Sequence, residues 1–287
     1  MTAQRQMRFR AAVSILSTAF AAALCAALAL AAGCDPASPP PAWAECRLSS
    51  NWRGPNARER MMNVLSPAFP DAKAREYVEW QLSQGCDHVH VLLVNQGDGE
   101  GCGYDALADA GDKELALRRV EGIRRAGLGV VAWVVADESD AARRRVFERA
   151  DEYAASLADF LPHVSYVVLG LEMDEGEGSR AQWARLADAV RRAGWTGPLA
   201  THHASHPPRY AALGEIVMDQ LDPRCSAADV EASVRSLRAR GLEVCGFEYS
   251  RGPDRAKAEA ALAAGAFGVG NWAAADGEKP SARRHGR

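Results

Sequence analysis

The segment RRAGLGVVAWVV (residues 124–135) joins the end of a charged stretch to a continuous apolar run through one glycine, Gly127. A glycine just after a helix adopts the left-handed backbone conformation that other residues resist. The run that follows does not alternate between apolar and polar residues, which is typical of a parallel strand covered on both faces. The segment therefore predicts a helix, a glycine turn and a buried parallel strand.

The same unit recurs along the chain, in LSQGCDHVHVLLV (82–94), RRAGWTGPLAT (191–201), RARGLEVCGF (238–247) and LAAGAFGVGN (262–271). Helices that alternate with buried strands indicate an α/β fold with a parallel sheet. The candidate strands are 46–52, 88–95, 129–137, 165–174, 197–203, 215–221, 242–249 and 267–272. Eight such units predict a (β/α)8 TIM barrel that forms a single domain.

A doubly wound open sheet is the alternative fold. The sequence favours it less, because no G-x-G-x-x-G motif opens a helix after the first candidate strand. The composition fits a soluble globular domain, with 48% apolar and 25% charged residues. The net charge of −3 gives no basis for nucleic-acid binding.

The first residues have a different character. Arg5, Arg8 and Arg10 precede an Ala- and Leu-rich stretch, 11–32, and the segment LAAGC (30–34) leads from this stretch to Cys34. A basic start, an apolar stretch and small residues before a cleavage point indicate an export signal. The ending resembles the lipoprotein box of bacteria, which implies a lipid on Cys34. Simple secretion and an uncleaved membrane anchor are the alternatives.

These features predict the domain organisation. Residues 1–33 are a signal peptide, 34–45 are the lipidated cysteine and a Pro-rich tether, 46–272 are the barrel, and 273–287 are a disordered polar tail. The expected location is outside the cytoplasm, as a bacterial membrane-anchored lipoprotein in the periplasm or on the cell surface, or otherwise as a secreted protein. The sequence carries no signal for a particular oligomeric state.

Polar or aromatic residues end every candidate strand. They are Asn51, Trp52, Arg53, Asn95, Asp137, Glu172, Asp174, His202, His203, Asp219, Gln220, Glu248, Tyr249, Asn271 and Trp272. In a barrel of this type the carboxyl ends of the strands surround the active site. We therefore expect these side chains to line one pocket.

Two of these residues are glutamates on the fourth and seventh strands, Glu172 and Glu248. These strands lie on opposite sides of a ring of eight, so that the carboxyl groups can face each other across the pocket. Two facing carboxyl groups can hydrolyse a glycosidic bond, one by protonating the leaving oxygen and the other by attacking the anomeric carbon or activating water. Such a reaction requires no metal and no cofactor.

This arrangement resembles clan A of the glycoside hydrolases, which includes cellulases, mannanases and β-galactosidases. The resemblance rests on Glu172, Glu248 and an aromatic residue on the eighth strand, Trp272. It implies that Glu172 is the acid/base and Glu248 the nucleophile of a retaining glycosidase. The sequence departs from the clan at Leu171, where the clan usually has Asn, and around Asp219, where it often has His and Tyr.

The predicted substrate is a cell-surface or environmental polysaccharide. The predicted substrate-binding residues are Trp52, Arg53, Asn95, Asp137, Asp174, His202, His203, Gln220, Tyr249 and Trp272. His202 and His203 are adjacent on a strand and face opposite ways, so at most one is expected to enter the pocket. If the strand continues to Asp174, this residue shares the direction of Glu172.

Two other functions remain open at this point. One is a catalytically inactive barrel that binds carbohydrate or anchors a surface assembly, which the absence of Asn before Glu172 favours. The other is a metal-dependent hydrolase that uses His202, Asp219 and further pocket carboxylates. The HVH motif, which begins at His88, resembles that of metallohydrolase barrels but starts a strand instead of ending one.

Overall fold

Eight parallel strands pair side by side, and the last pairs with the first to close a barrel. The computed structural model describes residues 47–49, 64–68, 70–83, 87–95, 103–136, 139–247, 249 and 254–270. The barrel strands are β1 Arg47–Ser49, β2 His88–Leu92, β3 Gly129–Val135, β4 Tyr166–Gly170, β5 Leu199–His203, β6 Ile216–Asp219, β7 Glu243–Phe247 and β8 Gly268–Gly270. Each lies within one of the candidate stretches, so the predicted (β/α)8 fold is confirmed.

Helices connect most of the strands and cover the outside of the barrel. They are α1 Asp71–Ser83, α2 Lys113–Arg125, α3 Asp140–Glu148, α4 Ala150–Leu157, α5 Arg180–Arg192, α6 Ala227–Ala239 and α7 Arg255–Ala263. Serine side chains accept backbone N–H bonds at the starts of α3, α5 and α6, and Asp254 does so at α7. These bonds satisfy amide groups that the first helical turn leaves without partners. Between β5 and β6 the described chain has only a short 3-10 turn, Ala211–Leu213.

Four of the five predicted glycine turns are present in the described part of the chain, and the fifth, at Gly85, lies outside it. Gly127, Gly194, Gly241 and Gly265 all have positive φ angles, of 89°, 103°, 79° and 101°. Each follows a helix directly and turns the chain back towards the next strand. A side chain at these angles would strain the backbone, which explains why the same residue type recurs.

The strands are buried on both faces because they separate two apolar layers. The inner layer fills the barrel with alternate strand residues, among them Val131, Trp133, Val168, Met218, Cys245 and Phe247. The outer layer packs the remaining strand residues against the helices. Burying one large apolar side chain contributes about 1.5–3 kcal/mol, so the continuous apolar runs follow from this double coverage.

Aromatic and histidine rings also contact one another inside the barrel. Trp133 donates its indole N–H to Nδ1 of His90 at 2.5 Å. The ring of His90 stacks on Phe247, with centroids 5.5 Å apart and an interplanar angle of 6°. His90 is thus a core residue of the HVH motif. No group of three or more His, Cys, Asp or Glu side chains that could hold a metal occurs in the described residues.

A short antiparallel pair, Val94–Asn95 with Tyr104–Asp105, follows β2. Asp105 is buried and accepts bonds from Arg145 on α3 at 2.7 Å and from the hydroxyl of Tyr153 on α4 at 3.0 Å. Burial raises the pKa of Asp105, but these donors and two backbone amides outweigh it and hold the pKa below its usual value. Through Asp105 the antiparallel strand pair therefore anchors α3, and α3 also contacts the candidate functional site.

Cys225 is a free thiol at the edge of the outer layer, and Cys245 is buried in the inner apolar layer. In the described part of the chain, no helix combines the length and the apolarity needed to cross a membrane. The predicted signal peptide, lipidation site, tether and polar tail (residues 1–33, 34–45 and 273–287) lie outside the described residues.

Candidate functional site

Glu172 lies just beyond the carboxyl end of β4, in a turn formed by residues 171–175 that we call the Glu172 turn. Its φ angle is 43°, and no other non-glycine residue in the described chain has a positive φ. Such a conformation costs about 1–2 kcal/mol for a residue with a Cβ atom. The side chain is only 7% exposed. A buried carboxyl group on a strained backbone therefore follows the fourth strand.

Gln220 contacts Glu172, although one strand, β5, lies between the two strands that these residues follow. Its Nε2 atom donates to Oε1 of Glu172 at 3.4 Å, and Gln220 directly follows β6. Oε1 of Gln220 is buried and has no hydrogen-bond partner within the described chain. The two side chains meet at the mouth of the barrel, as the sequence predicts for residues that follow β4 and β6.

Arg143 on α3 supports the Glu172 turn from outside the barrel wall. Its Nη2 atom donates to the carbonyl oxygens of Leu171 at 2.7 Å and Glu172 at 3.3 Å. Nη1 donates to the carbonyl oxygen of Glu175. The side chain is 1% exposed. A buried guanidinium group is stable here because it bonds the carbonyl groups of the turn.

Sequence reasoning missed Arg143, although a signal for it exists. The buried positions of α3 are Ala142, Arg143, Val146 and Phe147, which form one helical stripe. A charged residue on an otherwise apolar stripe indicates a buried polar contact. The sequence does not indicate which part of the chain supplies that contact.

Asp174 does not share the direction of Glu172. Its carboxylate accepts the backbone N–H groups of Ala204 at 2.8 Å and Ser205 at 3.0 Å, and also the hydroxyl of Ser205. Burial raises the pKa of Asp174, but these bonds outweigh it and keep the pKa below its usual value. The strand alternation that underlies the prediction ends at Gly170, because the next residues form a turn in which Glu172 is left-handed and the Glu175 N–H donates to the Glu172 carbonyl oxygen at 2.9 Å. Asp174 instead holds the loop that follows β5.

The two histidines of β5 face opposite ways, as alternation requires. His202 is fully buried within the barrel, where its ring meets Trp133 and Phe247 edge-on at 5.5 and 5.4 Å. His203 lies on the outer face, where Nε2 accepts the backbone N–H of Tyr210 at 3.0 Å. His203 was predicted to bind substrate, but the structure places it behind the barrel wall, away from the mouth.

His202 was also predicted to bind substrate, and the structure gives its ring another contact. Nδ1 of His202 accepts the backbone N–H of Glu172 at 3.0 Å. Burial lowers the pKa of His202 to about 3, so the ring is neutral at ordinary pH. The ring therefore lies beneath the Glu172 turn and has 0% exposure to solvent.

Tyr249 also lies outside the barrel wall, which corrects its predicted place in the pocket. Its hydroxyl donates to Oδ2 of Asp219 at 2.8 Å, and its carbonyl oxygen accepts from Nζ of Lys257 at 2.8 Å. Tyr249 packs in the outer apolar layer with Val217 and Val244. The alternation of β7 predicts an inward side chain, but the strand ends at Phe247, two residues before Tyr249.

Asp219 occupies the same outer cluster. Besides Tyr249, its carboxylate bonds Nε2 of His206 at 2.6 Å and the hydroxyl of Ser233 at 2.8 Å. The bond to Asp219 raises the pKa of His206. Asp219 and His202 thus face opposite sides of the barrel wall. They do not form the shared metal site that the metal-dependent alternative requires.

The remaining predicted residues divide into two groups. Asn95 is buried in the short antiparallel pair beside Tyr104. The others lie outside the described residues, although Phe247, which precedes Glu248, is the last residue of β7. They are Glu248, Trp52, Arg53, Asp137 and Trp272.

Solved structures with a similar fold include three glycoside hydrolases. An exo-β-1,4-mannosidase from Opitutaceae bacterium strain TAV5 has a TM-score of 0.57 and 15% identity, over 79% of this chain and 51% of that one. A GH5_18 structure from Bifidobacterium longum has a TM-score of 0.55 and 13% identity, over 79% and 69%. A GH113 β-mannanase from Alicyclobacillus acidocaldarius has a TM-score of 0.51 and 12% identity, over 80% and 85%.

No protein-family model matches the chain, and no curated protein matches it in sequence. The matched region spans about half the length of the mannosidase chain. Identities of 12–15% show a shared fold and not a shared activity. The described part of the chain thus shares the (β/α)8 fold of these three glycoside hydrolases.

Proposed function

We propose that the protein is a glycoside hydrolase that cleaves glycosidic bonds of a cell-surface or environmental polysaccharide. The observation that carries the proposal is the position of Glu172. Its buried carboxyl group follows β4, on a strained backbone, and contacts Gln220 at the barrel mouth. Backbone strain of this kind is concentrated at functional sites. A glycine at this position would remove the strain but also the carboxyl group.

In the proposed mechanism Glu172 is the general acid and Glu248 the nucleophile. Glu172 protonates the glycosidic oxygen while Glu248 attacks the anomeric carbon, which forms a covalent glycosyl–enzyme intermediate. Glu172 then takes a proton from the water that hydrolyses this intermediate. The acid needs an apolar setting to keep its proton near neutral pH. The Glu172 side chain is buried, and its neighbours in the sequence, Leu171 and Met173, are buried apolar residues.

The test begins with a panel of polysaccharides and aryl glycosides. Once a substrate is found, Glu248→Gln should abolish turnover. Glu172→Gln should slow the polysaccharide strongly but spare aryl glycosides, because a good leaving group needs little protonation to depart. Glu175→Gln is the matched control, since Glu175 is an exposed carboxylate of the same turn. Full activity of Glu172→Gln on an unactivated substrate would rule out the assigned role.

The anomeric form of the first product distinguishes two versions of the mechanism. Carboxyl groups about 5–5.5 Å apart give retention through the covalent intermediate, and groups about 6.5–9.5 Å apart give inversion by activated water. We propose retention. Proton NMR of the product before mutarotation should therefore show the anomer of the substrate.

A second candidate function is carbohydrate binding without catalysis. Leu171 favours it, because this side chain packs in the inner apolar layer where clan A enzymes usually have an Asn. A binding-only barrel would be stabilised by oligosaccharides in thermal unfolding but would cleave no glycoside. The wild type and the Glu172→Gln variant would then both fail to cleave any glycoside of the panel.

We also propose that the protein is exported and carries a lipid on Cys34, which would place the barrel at a membrane surface with access to extracellular polysaccharide. The support is the sequence pattern at the start of the chain, with its arginines, apolar stretch and LAAGC ending.

A further inference from the structure

Two successive peptide groups, one on each side of the Cα atom of Glu172, are held by the same pair of residues. In the first, the Leu171 carbonyl accepts from Arg143 at 2.7 Å and the Glu172 N–H donates to Nδ1 of His202 at 3.0 Å. In the second, the Glu172 carbonyl accepts from Arg143 at 3.3 Å and the Met173 N–H donates to the carbonyl oxygen of His202 at 2.8 Å. The direction of the Glu172 side chain is therefore set through its backbone.

His202 is itself fixed by the barrel interior. Its ring contacts Trp133 and Phe247 edge-on and is fully buried. Phe247 ends β7 and directly precedes Glu248 in the sequence. His202 thus touches both the turn that carries Glu172 and the strand that leads to Glu248.

We propose that His202 is a positioning residue, which acts with Arg143 to hold the Glu172 carboxyl group in place, and that it does not bind the substrate. This inference rests on the proposed function, because it assigns a role within the same site. The imidazole accepts the Glu172 N–H at Nδ1, so its own hydrogen is on Nε2.

Nδ1 of His202 remains a hydrogen-bond acceptor at neutral pH. Burial is the largest cause of the low pKa of His202, about 3; His203 lowers the pKa further and Asp174 opposes the shift. At pH values well above 3, Nδ1 therefore keeps its lone pair for the Glu172 amide. Arg143 likewise keeps its charge, because a guanidinium group is not deprotonated in proteins.

The first experiment measures amide hydrogen exchange of the Glu172 turn. His202→Phe keeps a ring of similar shape but removes the acceptor, whereas the side-chain oxygen of His202→Asn can take the place of Nδ1. We expect the Glu172 amide to exchange at least tenfold faster in His202→Phe and to stay protected in His202→Asn. This prediction rests on the loss of the buried hydrogen bond between the Glu172 N–H and Nδ1 of His202. The Met173 amide should change less, because its acceptor is the backbone carbonyl oxygen of His202, which both variants keep. Equal protection in the wild type and His202→Phe would overturn the proposal.

The second experiment compares substrates. Misplacement of a catalytic group by about 1 Å costs about 100-fold in rate, so kcat of His202→Phe on an unactivated glycoside should fall on this scale. KM should stay within a factor of about two, because uniform binding is not lost. An aryl glycoside with a good leaving group should be affected much less, and His202→Asn should recover most of kcat. A raised KM for both substrates with unchanged kcat would instead make His202 a substrate ligand.

His203→Phe is the matched control. It changes the neighbouring histidine on the outer face of β5, removes a bond to the Tyr210 amide, and should lower stability without altering the preference for leaving groups. If His202→Phe does not fold, Arg143→Lys and Arg143→Met provide the same comparison from the opposite side of the turn. Arg143→Met should speed exchange over residues 171–175, and Arg143→Lys should restore part of the protection.

The proposed glycosidase function and the positioning role of His202 can fail separately. If the wild type cleaves no glycoside, the proposed function fails, while the exchange measurement still decides whether His202 holds the Glu172 turn. If glycosides are cleaved but His202→Phe keeps full kcat and full protection, the positioning role fails and the proposed function stands.

Discussion

Nε2 of Gln220 lies 3.4 Å from Oε1 of Glu172, although their strands, β6 and β4, are separated in the barrel by β5. The contact shows that the Glu172 side chain extends over the barrel mouth and not outwards to the helices. Gln220 contacts the carboxyl group through its nitrogen, while its buried oxygen has no partner within the described chain. A hydroxyl group of a bound sugar can supply the missing donor.

Replacing Gln220 by Met keeps the length of the side chain and removes its polar atoms. We expect oligosaccharide affinity to fall by up to about tenfold, because a hydrogen bond contributes about 0.5–1.5 kcal/mol. The free energy of unfolding should change little, because the variant removes a buried oxygen without a partner, which favours folding, and also the long Nε2 bond to Glu172, which disfavours it. Isothermal titration calorimetry and urea unfolding measure the two effects. Gln182→Met, which breaks the capping box of α5, is the control, and an unchanged affinity of Gln220→Met would contradict the prediction.

Replacing Glu172 by Gly should stabilise the protein while it removes the proposed acid. Glycine adopts a φ of 43° without the cost of a Cβ atom, which is about 1–2 kcal/mol. The backbone bonds to His202 and Arg143 do not depend on the side chain. Chemical unfolding should therefore show a higher free energy of unfolding for the variant. Glu175→Gly, in the same turn but without a positive φ, should give no such gain, and equal effects of the two substitutions would argue against strain at Glu172.

The stability of the protein should fall in mild acid because of its buried neutral histidines. Burial lowers the pKa of His203 from 6.5 to about 4, so the unfolded chain takes up the proton first. The contribution of neutral His203 to the free energy of unfolding is fully present above pH 6.5. It is lost as the pH falls towards 4, at about 1.4 kcal/mol per pH unit. His202 acts in the same direction, whereas His206, whose pKa is raised, favours the folded state in acid.

The His203→Gln variant isolates this effect. The glutamine side chain can accept the Tyr210 N–H in place of Nε2 but cannot be protonated. Between pH 6.5 and pH 5, the wild type should lose about 1.6 kcal/mol more stability than the variant. Urea unfolding at both pH values provides the measurement, and parallel losses in the two proteins would show that His203 does not contribute.

Replacing Cys34 by Ala should block lipidation. We expect the wild-type protein to partition with membranes when it is expressed in bacteria, and the variant to be released or to remain unprocessed. A single acyl chain binds a bilayer only reversibly, so the wild type should carry more than one. Membrane fractionation and mass spectrometry of the mature N-terminus decide the matter. A soluble wild-type protein that begins at another residue would contradict the lipidation.

The sequence by itself determined the barrel. The glycine after each helix and the apolar run after each glycine are local features, and a closed ring of parallel strands is the arrangement that covers both faces of all these runs. Alternation along a strand is equally local, and it separated His202 from His203. The same reasoning placed Glu172 and Gln220 at one rim, because both directly follow strands that run in the same direction.

Only the tertiary structure decided which rim side chains face the mouth. Strand alternation predicts direction only while the strand lasts, and β4 and β7 end before Asp174 and Tyr249. Beyond those ends the directions depend on partners distant in sequence. Asp174 turns to the amides of the loop after β5, Tyr249 to Asp219, and the Glu172 turn is held by Arg143 and His202. A sequence pattern shows the periodicity of a regular helix or strand. A left-handed residue in a turn, such as Glu172, is held instead by contacts between residues that only the folded chain brings together.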